Sequence, residues 1–459
     1  MRRLIDRSIR LLATALLALS CTAASAQTSS INAYSPYTMY GIGEINTPGT
    51  LSMRSMGGAG VALRQTGMIN LLNPAGFSLV MQKSFTLNVG LEGQNYYNFQ
   101  TAGNEQKKSA HNSFNIREFA LLLPLYKNLG FALSVNPYSS VGYRMMYDHT
   151  FDPNDPVWGN VGRINYSYSG EGDVTEIKAG IGYELFKNFS VGVALQYYWG
   201  DIDRTFVMTP VSITGDGTFG SVVGESEYAV SRVKGQVGVQ WNPILNQRRI
   251  LTVGAAYDFG GDLRPKHAQR IYGDDLYSTA VQSDTTHLAL SLPRRLTVGA
   301  CYQTSAWVLA LDYSFENWSR DNRSEQTGID GSTGRSMTVA YADTHTLKAG
   351  IEFTPARFDA RHVWRRWSYR AGLRAGTHNR TYGGYRLHEY AFTAGIGIPV
   401  KFRSVTAVDV GIEYGMRGWN VAKHVGLVRQ QYFKFGISFK LFAAGGENYE
   451  YWFMRPKYD

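Results

Sequence analysis

Cysteine is nearly absent. Only Cys21 and Cys301 occur in 459 residues, and Cys21 lies in the leader described below. The mature chain then keeps one thiol and has no internal disulfide to staple it. Long apolar runs are missing too. Beyond the leader no stretch approaches the roughly 20 residues that a spanning helix needs. Charge is sparse and unclustered: Asp, Glu, Lys and Arg make up 18% of the chain, and the excess of +10 is scattered along it, which argues against nucleic acid as a partner. There is no G-x-S-x-G elbow, P-loop or H-E-x-x-H, and the nine His are dispersed without metal-ligand spacing. These absences point away from an enzyme and from any metal or other cofactor. Asp148, Asp152 and Asp155 share one polar stretch but lack the ligand order of an EF-hand. Met56-Gly57-Gly58-Ala59-Gly60 has no strand before it, as a dinucleotide loop requires.

What is present begins with a secretory leader over residues 1–26. Arg2, Arg3, Arg7 and Arg10 form the basic region, Leu11 to Leu19 the apolar one, and Ala24-Ser25-Ala26 the cleavage site. A lipoprotein reading at Cys21 competes, but Ala18 stands where such signals want Leu. Cleavage after Ala26 removes four Arg and one Asp and lowers the net charge to +7.

From residue 84 onwards apolar residues recur at every second position, as in Phe85-Leu87-Val89-Leu91, Val191-Val193-Leu195-Tyr197 and Phe433-Phe435-Ile437-Phe439. That is the period of strands with one oily face and one wet face. The connections alternate between long and short, as outer-membrane barrels alternate extracellular loops with periplasmic turns. The pattern predicts an all-β chain: a transmembrane antiparallel β-barrel of about 14 strands over residues 84–442, with both termini periplasmic. Tight turns are expected at Tyr126-Lys127-Asn128, Lys187-Asn188, Gln303-Thr304-Ser305 and Lys401-Phe402-Arg403. Long polar connections are expected after the first, third, fifth, seventh and ninth strands. Membrane lipids and lipopolysaccharide would meet the oily face, including Ile177-Ala179-Ile181-Tyr183, Val233 to Trp241, Trp307 to Tyr313 and Val408 to Tyr414, with Tyr and Trp at strand ends as interfacial girdles. Residues 443–459 would form a periplasmic tail.

Residues 27–83 do not alternate. A barrel of about 14 strands is too wide for its own side chains to fill. The apolar content of this segment (Met53, Met56, Val61, Leu63, Met68, Ile69) favours a plug inside the barrel over a free linker. Met56-Gly57-Gly58-Ala59-Gly60-Val61-Ala62, followed by Asn73-Pro74-Ala75-Gly76, resembles the N-terminal hatch of the FadL/TodX outer-membrane hydrocarbon transporters. Leu292-Pro293, Tyr369-Arg370-Ala371-Gly372 and Gly395-Ile396-Gly397-Ile398-Pro399 match that family's rhythm further along. The resemblance implies a fourteen-stranded barrel that binds long-chain fatty acids or other hydrophobic molecules in its lumen and releases them past the hatch or sideways. Gly57, Gly58, Gly60, Asn73, Pro74 and Ala75 would be hatch and gating residues. The continuation past Phe442 and the opening Ser35 to Gly43 depart from the family pattern and mark a divergent branch. The alternative is a FadL-like accessory or plug barrel with a protein secretion partner and no small-molecule transport.

Two further features bear on mechanism. Pro137, in Ser134 to Gly142 of the third strand, cannot donate to a ladder and marks a bulge or break. The resemblance implies a lateral opening there, involving Pro137, Ser139 and Gly142. A fatty-acid carboxylate would want a buried cation. Strand parity turns Arg370, Arg374, Arg295 and Lys178 inward as candidates, together with Glu176, Asp258, Asp312, Glu352, Asp409 and Glu413, with which they could form ordinary cross-strand ion pairs.

Overall fold

The computed structural model describes residues 33–444, except 82–83, 103–104, 153, 155–160, 213–218, 247–248, 274–281, 288–289, 321, 323–325, 330–335, 358, 360, 401–405 and 422–426. The leader, the turn Lys401-Phe402-Arg403 and the tail from Gly445 lie outside the described residues.

Among the described residues, fourteen antiparallel strands close on themselves. They are β1 (Ser84–Ala102), β2 (Glu105–Tyr126), β3 (Leu129–Thr150), β4 (Val161–Phe186), β5 (Phe189–Ser212), β6 (Val222–Leu245) and β7 (Arg249–Asp258). After these come β8 (Arg294–Thr304), β9 (Trp307–Asn317), β10 (Thr344–Phe353), β11 (Ser368–Tyr382), β12 (Tyr385–Pro399), β13 (Ala407–Arg417) and β14 (Val428–Ala444). The ladder of β1 with β14 runs from Ser84 opposite Ala444 to Gln100 opposite Val428 and shuts the cylinder. Outside, Val193, Leu195, Val237, Val239, Trp241, Leu309, Leu311, Ile412, Phe435 and Ile437 are exposed; between such residues Gln196, Gln236 and Gln240 are buried and face inward. An apolar outer band over a polar interior is what a barrel in a bilayer requires.

The long connections are shorter than the alternation suggests, because the ladders continue into them. The β1–β2 ladder reaches Ala102 opposite Glu105, the β3–β4 ladder Thr150 opposite Arg163, and the β5–β6 ladder Met208 opposite Val222. β4 has 26 residues, whereas about 9–11 tilted residues cross a membrane. Beyond the bilayer both faces meet water, so the period-two signal fades while backbone pairing persists. Likewise, the alternation suggests an eighth strand from residue 285, but β8 begins at Arg294. Strand Gln282–His287 pairs instead with Lys266–Gly273, which extends the sheet beside β6. Ser336–Tyr341 pairs with Gln326–Ile329 and with the end of β11 before β10 begins.

At the end holding the short turns, Asp359 accepts the backbone N–H groups of Arg361 (2.8 Å) and His362 (3.0 Å). These two bonds hold its carboxyl at about 2.

Residues 33–80 lie inside the wall. The segment starts at the long-connection end, where Asn98 Nδ2 donates to Tyr34 O (3.2 Å). It ends near the short turns, where Pro74–Ser78 packs on β4 and β5. It therefore crosses the lumen from the end opposite Ser84, rather than starting on the short-turn side as the sequence suggests. Four apolar clusters pack it in place. One joins Met53, Met56, Val61 and Leu63 to Ala256, Cys301, Val308 and Ala310 of the wall. A second joins Ile69, Leu71 and Phe77 to Ala120, Leu122 and Ala132. Nearer the long connections, Ile42 meets Val141, Tyr143, Tyr198 and Ile202, and Tyr37 and Tyr40 meet Val339, Tyr382 and Leu387.

Close approach of the two backbones depends on glycine in the wall. A Cβ at Gly192 would overlap Pro74 and the Ala75 nitrogen, and one at Gly372 would overlap Met56 and Gly57. Replacing Gly192 by Leu is expected to drive Pro74–Ser78 off the wall, at about 1–3 kcal/mol or more for overpacking. The check is protease digestion of the folded protein. Cleavage between residues 33 and 83 within an intact barrel is expected, and an uncut segment would contradict the packing.

Candidate functional site

The wall is not zipped throughout. β2 and β3 pair only from Tyr126 opposite Leu129 to Phe119 opposite Val135, although both strands continue well beyond. The ladder stops next to Pro137, whose missing N–H cannot serve a ladder. There the β3–β4 register shifts between Pro137 and Ser139. Above this point β2 stays paired with β1, and β3 with β4, apart from one-residue irregularities at Arg117 and Tyr138. Among β1 to β4 the break is therefore confined to the β2–β3 seam.

The inner segment takes over part of the abandoned edge. Glu44 and Ile45 form a two-residue antiparallel strand opposite Ser140 and Ser139. Asn46 N donates to Tyr138 O (2.8 Å) and Ser35 N to Gly142 O (2.9 Å). Thr38 Oγ1 accepts from Gly142 N (3.2 Å), and Asn46 Nδ2 reaches Pro137 O (3.3 Å). Such partners are needed because backbone groups at bilayer depth have no water to bond. Beside the seam lies a cavity of about 230 Å³, lined by Tyr34, Pro36, Tyr37 and Tyr40 of the inner segment, Lys107, Lys108 and Ser109 of β2, and Tyr143 to Tyr147 of β3, with Met337 and Tyr382 behind. Its lining is aromatic and apolar, with cations at the rim.

Below the seam, wall side chains satisfy the inner segment's backbone. Asp312 Oδ2 accepts from Gly60 N (2.6 Å) and Val61 N (2.8 Å). Thr393 Oγ1 accepts from Gly57 N (2.8 Å). Gly57 sits at φ +71°, and a side chain there would strike the carbonyl oxygens of Leu373 and Ala349. Gly58, at φ +77°, passes beside Thr47 and Lys348. Asn73 donates to Val61 O (3.0 Å) and Val239 O (3.0 Å), while its Oδ1 accepts from Ala75 N (3.0 Å) and caps the short 3-10 helix that Pro74 opens. The Asn-Pro-Ala sequence is thus a docking turn: the side chain of Asn73 and the backbone of Pro74 and Ala75 lie against Gly238, Gly182 and Gly192.

Each sequence-selected cation already has a partner. Arg370 donates to Glu352 (2.7 Å) and Asp409 (2.5 Å). Arg374 donates to Glu413 (2.6 Å) and Tyr432 Oη (3.1 Å), and also reaches Glu389 (3.3 Å). Arg295 donates to Asp258 (2.8 Å). Lys178 donates to Leu71 O of the inner segment (3.0 Å) and pairs with Glu176 (3.2 Å). Arg370, Arg374 and Lys178 are buried. A ligand carboxylate at any of them would have to displace an existing partner.

Sequence reasoning missed the links that join the inner segment to these networks. Arg417 bridges Glu44 (2.9 Å) and Glu389 (2.7 Å). Arg54 pairs with Glu92, and Leu51 N donates to Glu118 (2.7 Å). The one available signal was the presence of Glu44, Arg54 and Arg64 in an otherwise uncharged, glycine-rich segment, since a buried charge needs a partner.

Replacing Arg370 by Ala strands Glu352 and Asp409, and breaking a buried ion pair costs about 3–5 kcal/mol. Thermal unfolding of the barrel should fall accordingly. The triple change Arg370→Met, Glu352→Gln, Asp409→Asn should recover most of the loss, and failure of that rescue would point to a role for Arg370 other than pairing.

A family model described as BamG matches residues 8–459. Among the curated proteins no sequence matches this one. Solved structures do match. A FadL homologue from Pseudomonas aeruginosa is 14% identical over 85% of this chain and 97% of its own, with a TM-score of 0.55. The toluene transporter TodX of P. putida is 15% identical over 86% of this chain and 98% of its own, also with a TM-score of 0.55. At such identities the likeness is one of fold: a FadL/TodX-type barrel, here in a divergent sequence. With its whole barrel and inner segment inside the matched range, the chain belongs to the BamG family.

Proposed function

We propose that this protein is an outer-membrane barrel that passes hydrophobic molecules through its wall rather than along its axis. The observation that carries the reading is the seam, an interrupted ladder above Phe119 and Val135 with an aromatic cavity beside it. An apolar solute leaving sideways enters the bilayer directly, whereas an axial pore would strand it in water. Residues 27–83 act as the hatch, 84–442 as the barrel and 443–459 as a periplasmic tail. Membrane lipid covers the outer band, and lipopolysaccharide meets its outer-leaflet part. Pro137, Ser139 and Gly142 form the lip of the opening, which is shut when residues 35–46 are bonded to β3. Gly57, Gly58 and Gly60 let the hatch backbone lie on the wall, and Asn73, Pro74 and Ala75 anchor it. The pairing of Arg370, Arg374, Arg295 and Lys178 favours a neutral hydrocarbon over a fatty acid with its carboxylate buried. An amphiphile fits only with its head at Lys107, Lys108 or Arg144.

A second reading has its own support. An interior filled by the hatch and crossed by satisfied ion pairs suits an accessory barrel of a protein secretion system, which holds a partner and conducts nothing. The two readings separate on one variant. A cysteine pair at Asn46 and Tyr138, which are hydrogen-bonded neighbours, would staple the hatch to β3; Cys301 is buried and would not interfere. In proteoliposomes, oxidation should slow exchange of the hydrophobic dye N-phenylnaphthylamine at least tenfold, and reduction should restore it. Equal rates in both states would count against lateral passage and leave the accessory reading.

A further inference from the structure

We infer that the seam is also a binding site for an extended polypeptide strand of another protein. This goes beyond passage of hydrophobic molecules and does not depend on it.

The argument begins with backbone parity. Gly142 directs both its N–H and its C=O towards the hatch. Antiparallel strands alternate the side to which successive residues bond, so Arg144 and Met146 also turn their backbone groups to the seam, while Tyr143 and Met145 bond β4. Among the described residues no ladder crosses from β2 to β3 at this level. An unpaired edge is a template for a further strand, and this edge has already accepted one: Glu44–Ile45 pairs with it lower down. The seam-facing backbone of Arg144 and Met146 continues the same edge above it.

The surroundings specify what such a strand would carry. The cavity offers Tyr37, Tyr143, Met145 and Tyr382 on its inner side, which suits an apolar side chain at every second position, the specificity element of strand addition. Lys107, Lys108 and Arg144 stand at the exposed rim, which suits carboxylates at one end of the segment. The partner is therefore an extended, alternating segment with an acidic end. A compact hydrocarbon would use the cavity but leave the edge unpaired.

The probe is an octapeptide of alternating Phe and Ser that ends in two Asp residues and carries a fluorophore at its N-terminus. Binding to the full protein in nanodiscs is followed by polarisation. The comparison peptide has the same sequence with alternate backbone nitrogens methylated, which removes ladder donors and leaves the side chains. Methylation is expected to weaken binding at least tenfold. Met146→Pro, which deletes a seam-facing donor and no β3–β4 bond, should do the same, while Met146→Ala binds normally. Equal binding of the two peptides, or no binding of either, overturns the inference, and this comparison decides even where Met146→Pro does not fold. Dye exchange on the same samples reports separately on lateral passage. A protein that exchanges dye but ignores the peptide has lost only the present inference, and one that binds peptide but exchanges no dye has lost only the other.

Discussion

A backbone inside a bilayer must satisfy its own N–H and C=O groups, and nearly every feature of this protein follows from that. Fourteen strands closing on themselves meet the requirement around the circumference. Where Pro137 breaks the β2–β3 ladder the requirement is unmet, and the hatch meets it from inside: Ser35, Thr38, Glu44, Ile45 and Asn46 stand in for the missing strand at Tyr138 to Gly142. The inner segment is thus part of the wall at one place as well as the filling of the lumen.

The same rule governs the interior. A glycine-rich segment that crosses the lumen has few side chains with which to bond its own backbone, so the wall supplies Asp312, Thr393, Gln240, Lys178 and Glu118 as partners. The wall in turn needs glycine where the two chains touch, because a side chain there would occupy space already taken by hatch backbone. The arginines of β11 and β13 complete the arrangement. Arg370 ties β10 to β13, Arg374 ties β12 to β13, and Arg417 ties Glu389 of β12 to Glu44 of the hatch. These contacts tie the wall strands to one another and to the inner segment, and the candidates chosen for a ligand carboxylate are found serving carboxylates of the chain itself.

Much of the fold was legible in the sequence for a physical reason: lipid outside and a polar interior impose period two on every spanning strand. Val233 to Trp241 and Trp307 to Tyr313 could be read directly. Legibility failed where that contrast ends. Beyond the membrane β1, β2, β3, β5 and β6 remain paired with no oily face to betray them, so their ends looked like loops. Pro137 was legible because proline removes a donor whatever the context. The resemblance marked Asn73-Pro74-Ala75 as hatch and gating residues, but the seats of this turn at Gly182, Gly192 and Gly238 could not be named, since strand glycines have many uses and their facing partner is more than a hundred residues away. Parity correctly turned Arg370 and Arg374 inward, yet parity gives direction and not company; their partners lie on other strands.

The central claim is that the β2–β3 seam is open above Val135 while β2 stays paired with β1, and β3 with β4, on either side of it. Amide hydrogen exchange of β3, resolved by residue, tests it most directly. The account predicts an alternation above the hatch contacts: Arg144 and Met146, facing the seam, exchange rapidly, and Tyr143 and Met145, bonded to β4, are protected. Below Val135 both parities are protected. Uniform protection of residues 143–146 would mean that the seam is closed by a continuous ladder, and would contradict the account.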